Sequence, residues 1–102
     1  MTVGDAQQKV QNAYQAFVTF SKSTPQCRAD ILQTFHGLVL SNEMDLATLV
    51  SLENGKSLGD ALAEVRYGAS YLQWNAGEAL RMYGRTIPSS LPGTRNFTKL
   101  EV

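Results

Sequence analysis

Residues 53–84 read ENGKSLGDALAEVRYGASYLQWNAGEALRMYG, and this stretch restricts the fold of the whole chain more than any other. Ser57 with Asp60 three residues on predicts a helix start, in which a hydroxyl and a carboxylate each satisfy an orphan backbone N–H of the first turn. Leu58, Ala61, Leu62, Val65, Ala69, Leu72, Ala76, Ala79, Leu80 and Tyr83 then recur every three or four residues and form one apolar stripe. Gly84 is the expected stop. A helix from Leu58 to Tyr83 would be roughly 39 Å long, more than a domain of 102 residues needs for its own core. The surplus length predicts an apolar face that seeks a partner.

Three shorter helices are expected before it. Thr2 and Asp5 form another capping-box pair, followed by Ala6, Val10, Ala13, Tyr14, Phe17 and Phe20, so helix one runs to about Lys22. Thr24 before Pro25 places a capping hydroxyl beside a proline at the first helical position. Helix two follows, with the stripe Cys27, Ile31, Leu32, Phe35, Leu38 and Val39, and ends near Ser41. Asn42 reads as the N-cap of helix three, Glu43 and Asp45 sit in its first turn, and Asn54-Gly55 closes it. Beyond Gly84, two prolines and the loss of helical period predict extended chain and turn. Polar and apolar residues alternate over residues 96–102, consistent with one short strand that needs an edge to pair with, for which a second copy is a candidate. The expected fold class is all-α: four helices with antiparallel neighbours over residues 1–84, and an extended tail over 85–102.

Composition narrows the function. Apolar residues at 43% and charged residues at 18% describe a globular chain. Nine basic residues balance nine acidic ones, so a nucleic-acid partner has no electrostatic footprint. No apolar run approaches the roughly 18 residues of a membrane span, and the N-terminus MTVGDAQQKV lacks the order of a signal peptide. A cytoplasmic protein is expected, in agreement with a single cysteine, Cys27.

Each candidate for chemistry has a packing alternative. His36, the one histidine, flanks the stripe of helix two and reads first as an interhelix packing residue; as a general base it would need Glu53, Asp60 or Glu64 to orient it. Cys27 lies in the first turn of helix two, where the dipole favours a thiolate, yet reads first as a small buried apolar residue. No metal-ligand spacing surrounds either residue, and Gly55-Lys56-Ser57 lacks the rest of a phosphate loop. Tyr67, Tyr71 and Trp74 stand at i, i+4 and i+7 on a second face of the long helix. That face is either sandwiched against a neighbour or forms a pocket wall, with Glu64 one turn before Tyr67 and Gly68.

The ordered pieces together resemble a known family. Ala13-Tyr14-Gln15-Ala16-Phe17 with Phe20, then Thr24, Arg28 and Ile31-Leu32, then Asp45-Leu46-Ala47 and Glu53-Asn54-Gly55-Lys56, then Glu64, Tyr67, Ala69, Leu72, Trp74, Glu78, Ala79 and Tyr83-Gly84 are similar to the N-terminal helical segment of NAD(P)-dependent aldehyde dehydrogenases. The run YGASYLQWNAGEALRMYG most resembles the succinate-semialdehyde branch. The resemblance implies that the nucleotide fold, the catalytic cysteine and the carboxylate base belong to chain this sequence does not contain. Cys27 does not match that cysteine. No cofactor, metal or dehydrogenase activity is therefore expected of this chain alone. By position, the resemblance implies that Glu64, Tyr67, Gly68, Tyr71 and Leu72 line the entrance to an aldehyde tunnel, a surface suited to small carbonyl or carboxylate ligands.

Three functions follow. The first is a truncated, dehydrogenase-like binding scaffold or pseudoenzyme. The second is a repurposed cofactor-free enzyme, such as an isomerase, a cyclase or a carbon–carbon bond-forming enzyme or lyase, with His36 or Glu64 moving a proton in a pocket at a subunit interface. The third is a partner or regulator of a full-length dehydrogenase. Because the segment lacks the sheet it packs on in the family, a homodimer or higher oligomer is expected, with helix four or the tail strand shared between copies.

Overall fold

A computed structural model describes residues 2–100 of the chain, and local side-chain caps open three of its helices where the sequence places them. Helix α1 spans Val3–Phe20 and opens on a complete capping box, with the Thr2 N–H donating to Asp5 Oδ2 at 2.7 Å and the Asp5 N–H to Thr2 Oγ1 at 3.2 Å. Helix α2 spans Pro25–Ser41 behind Thr24, whose hydroxyl accepts the Cys27 N–H. Helix α3 spans Glu43–Asn54, and Gly55 ends it in the left-handed region at φ 73°, a conformation that costs glycine nothing.

Helix α4 spans Leu58–Ala79, 22 residues and about 33 Å. It is the spine of the fold. The Arg66 guanidinium on α4 pairs bidentately with the Glu43 carboxylate at the start of α3, both contacts at 2.7 Å. At the other end of α4, Ala76, Gly77 and Leu80 share a crevice with Gln26, Ala29 and Gln33 of α2. Helices α3 and α2 therefore lie end to end along the two halves of α4, each antiparallel to it. Their seam is made of alanine: Ala29, Ala47, Ala61, Ala69, Ala76 and Ala79 are the buried apolar residues, and no large side chain is fully buried among the described residues. Methyl-sized side chains let helix axes approach to the short end of the usual 8–10 Å range. Leu62, Val65 and Leu72 flank the seam half-buried, as the stripe predicts.

Several local expectations need correction. Asn42 does not cap α3 with its side chain; its amide donates to the Leu38 carbonyl at 2.8 Å, because a single residue separates the helices and the open carbonyls of α2 claim it. The Ser57 hydroxyl accepts the Asp60 N–H at 3.1 Å but itself donates to the Asp60 carboxylate at 2.7 Å, so only half of that box forms. Helix α4 stops at Ala79, five residues before Gly84, where tighter bonds from Leu80 and Arg81 to the Glu78 carbonyl replace the helical ladder. Leu80 and Tyr83 fall outside the helix and are exposed.

The tail also differs. Strand β1 (Thr86–Pro88) pairs antiparallel with β2 (Arg95–Phe97), Ile87 opposite Asn96, so the tail strand finds an edge within its own chain. Glu101 and Val102, the end of the expected strand, lie outside the described residues. Gly84 acts as a contact residue and not as a helix stop: a Cβ there would sit 1.7 Å from the Thr98 carbonyl oxygen. Among the described residues, α1 packs against no other element, and no helix is long and apolar enough to cross a membrane.

Candidate functional site

The seam faces one side of α4 and leaves the opposite side bare. On that side Tyr67, Tyr71 and Trp74 line an open groove of about 620 Å³ together with Ser70, Gln73, Gly77 and Arg81. The sandwiched reading of the aromatic face is corrected here, since Tyr67, Tyr71 and Trp74 are all more than half exposed among the described residues, Trp74 at 69%. The two tyrosine rings meet edge to face with centroids 5.0 Å apart and planes at 79°, and their hydroxyls share a hydrogen bond. That bond, more than desolvation, holds the Tyr71 phenol above the usual tyrosine range.

Arg81 closes the far end. Its guanidinium lies over Gly77, where a Cβ would meet Nη2 at 3.1 Å, so the glycine makes room for it. Nε and Nη2 both donate to Glu78 Oε1, and Nη1 has no hydrogen-bond partner among the described residues. Ser70, Gln73, Gly77 and Arg81 are groove residues that the sequence reading misses, although their spacing from Tyr67, at i+3, i+6, i+10 and i+14, is the signal that could have found them.

The other expected site residues are dispersed. Glu64 is exposed and forms an ion pair with Lys56 across the α3–α4 turn, away from the groove lining. Gly68 is exposed, with open space where a side chain would be. Leu72 is half-buried beside the seam and off the groove lining. His36 is half-buried on α2, and no hydrogen bond joins it to Glu53, Asp60 or Glu64; Asp60 is engaged by Ser57 and Glu64 by Lys56. Cys27 is exposed, not buried, because the stripe of α2 splits. Leu32 and Val39 are half-buried, while Cys27, Ile31, Phe35 and Leu38 line a second open groove. No group of three or more metal-ligating side chains comes together among the described residues.

Comparison with known proteins identifies the source of this geometry. The model of the aldehyde dehydrogenase family matches residues 1–101. The chain belongs to the aldehyde dehydrogenase family. It is 45% identical over 96 residues to the NADP(+) succinate-semialdehyde dehydrogenase of Saccharomyces cerevisiae, covering 94% of this chain and 19% of that one. It is 42% identical to a 3-sulfolactaldehyde dehydrogenase of Pseudomonas putida, covering 86% of this chain and 18% of the relative. Among solved structures, an aldehyde dehydrogenase from Brucella melitensis biovar abortus superposes with a TM-score of 0.82 at 35% identity, over 93% of this chain and 20% of its own. The aldehyde dehydrogenase segment described here thus spans about a fifth of the length of the relatives it matches.

Proposed function

We propose that the α4 groove binds a small acid-bearing carbonyl compound of the semialdehyde class, and that this chain by itself is a binding scaffold without dehydrogenase activity, cytoplasmic and self-associating. The observation that carries the reading is the Arg81 guanidinium laid over Gly77 at the end of an aromatic groove, with Nη1 left to donate to a carboxylate. Tyr67, Tyr71 and Trp74 offer flat apolar contact to a short methylene stem, and the paired hydroxyls offer a polar edge. Relatives named for succinate semialdehyde and 3-sulfolactaldehyde, both aldehydes with an acidic group, support the same class. Trp74 is the single tryptophan, so its emission reports the groove. Titration with succinate semialdehyde and with succinate is expected to change it saturably, and Arg81→Gln is expected to remove the response. No saturable change, or an unaltered response in Arg81→Gln, would sink the reading.

A second reading, that the chain supplies a helical layer to a dehydrogenase, is favoured by the all-alanine seam: the large apolar residues lie on the outside, available to further structure. Co-purification with a dehydrogenase lacking its own matching segment tests it. Proton transfer by His36 with Glu64 has less support, since Glu64 is engaged by Lys56 and shares no hydrogen bond with His36.

A further inference from the structure

Asn54 is the one asparagine of this sequence followed by glycine; Asn12, Asn42, Asn75 and Asn96 precede Ala13, Glu43, Ala76 and Phe97. That pairing has its own chemistry in water. The deprotonated glycine backbone nitrogen, unhindered by a side chain of its own, attacks the asparagine side-chain carbonyl carbon. The new N–C bond closes a cyclic imide, the amide C–N bond breaks and ammonia leaves. Water then opens the imide at either carbonyl to give an aspartyl or an isoaspartyl residue. Both residues are exposed at the α3–α4 turn, with open space where a Gly55 side chain would stand, so water reaches them freely. We propose that Asn54-Gly55 is a conformationally gated deamidation site: the closed turn holds the two reacting atoms apart, and modification proceeds when the turn opens.

The turn is closed by contacts of its own residues. Asn54 is the last residue of α3, and the Gly55 N–H donates to the Ser51 carbonyl at 2.9 Å, which keeps the attacking nitrogen protonated. In a helix the Cα–Cβ bond tilts toward the N-terminus, so the Asn54 side chain also leans away from the nitrogen that follows it. The Ser51 hydroxyl donates to the Lys56 carbonyl at 2.7 Å, strapping the last turn of α3 to the residue beyond Gly55. Lys56 in turn pairs with Glu64 on α4. Once it occurs, the modification reinforces itself. A carboxylate in the last turn of α3 opposes the helix dipole. An isoaspartyl linkage inserts a methylene into the backbone just before Gly55 and moves its N–H off the Ser51 carbonyl. The modified chain thus loses the cap that protected it, and the joint between α3 and α4 loosens. None of these residues lines the α4 groove, so this inference stands apart from the binding proposed above.

The test incubates the full chain at mildly alkaline pH and follows position 54 by peptide mass spectrometry that separates its asparaginyl, aspartyl and isoaspartyl forms. The folded wild type is expected to convert about tenfold or more slowly than the chain in denaturant, since the open turn is a minority state. Ser51→Ala removes the strap and keeps a good helix former in α3. It is expected to speed conversion of the folded chain about two- to tenfold, the worth of one hydrogen bond, and to leave the rate in denaturant unchanged. Amide hydrogen exchange separates local opening from unfolding: in Ser51→Ala the Gly55 amide should exchange faster while those of Ala61 and Ala69 in α4 do not. A folded chain that converts as fast as the denatured one, or a Ser51→Ala chain no faster than the wild type, overturns the gate. So does an α4 whose amides speed up together with Gly55.

Discussion

The alanine seam makes a demanding prediction at Ala69, which is 1% exposed near the middle of α4. Six buried methyl groups, at about 0.8 kcal/mol each, contribute roughly 5 kcal/mol. With no large side chain fully buried, the helix contacts depend heavily on that close approach. Ala69→Leu adds three heavy atoms where axes are nearest, and overpacking of this kind costs about 1–3 kcal/mol. For a domain of this size each kcal/mol lowers the melting temperature by about 4–8 °C, so a loss on the order of 10 °C is expected. Thermal melting followed by far-ultraviolet circular dichroism measures it. Trp74→Ala on the bare side of the same helix is the control, since exposed substitutions stay within about 0.5 kcal/mol. If Ala69→Leu melts with the wild type, or Trp74→Ala falls as far, the side of α4 assigned to the seam is wrong.

Three further outcomes follow from single contacts. Gly84→Ala cannot keep the tail where it is, because its Cβ would overlap the Thr98 carbonyl; amide exchange is expected to show the Arg85–Thr98 pairing released while the helices stay protected. Hydrogen bonding to Arg66 is the main reason the Glu43 carboxyl titrates below its usual range. A folded value below the unfolded one, about 4.3, means that the pair stabilises the fold above that pH and that this contribution is lost as pH falls through the lowered folded value; Glu43→Gln should flatten the acid limb of stability and, for a surface pair, change little at neutrality. Tyr67→Phe removes the hydroxyl that keeps the Tyr71 phenol neutral, so ultraviolet titration should show one tyrosine ionising closer to the ordinary value of about 10.

Helix starts were legible because their signals are local: Thr2, Thr24 and Ser57 each find their backbone donor three residues on. Ends were less so, since they depend on what the chain does next. The end of α4 at Ala79 reflects the turn that delivers residues 85–98 to their hairpin, and periodicity cannot register a constraint from Thr98 on Gly84. Asn42 shows the same limit, being a good N-cap by type that the carbonyls of the preceding helix claim first. Within the groove, Tyr67, Tyr71 and Trp74 were read together from spacing alone, and Arg81 was overlooked because it lies past the helix end, where folding back over Gly77 returns it to the same face.

One ambiguity in the sequence has a physical origin that bears on the whole molecule. Periodicity counts alanine and leucine alike as apolar, but on α2 and α4 they do different things. The alanines bring helices together, and fully burying a methyl group requires only the neighbouring backbone. Phe35, Leu38, Tyr71 and Trp74 are too large for that seam and stand about 100° or more around their helices from it, where all four stay more than half exposed. A single stripe in the sequence is thus two surfaces in the fold, one closed by the chain itself and one whose burial needs a ligand, a second copy or further chain. The size of each apolar residue separates the two: positions where only alanine fits mark the inner surface, and aromatic or leucine positions one step around the helix mark the outer one.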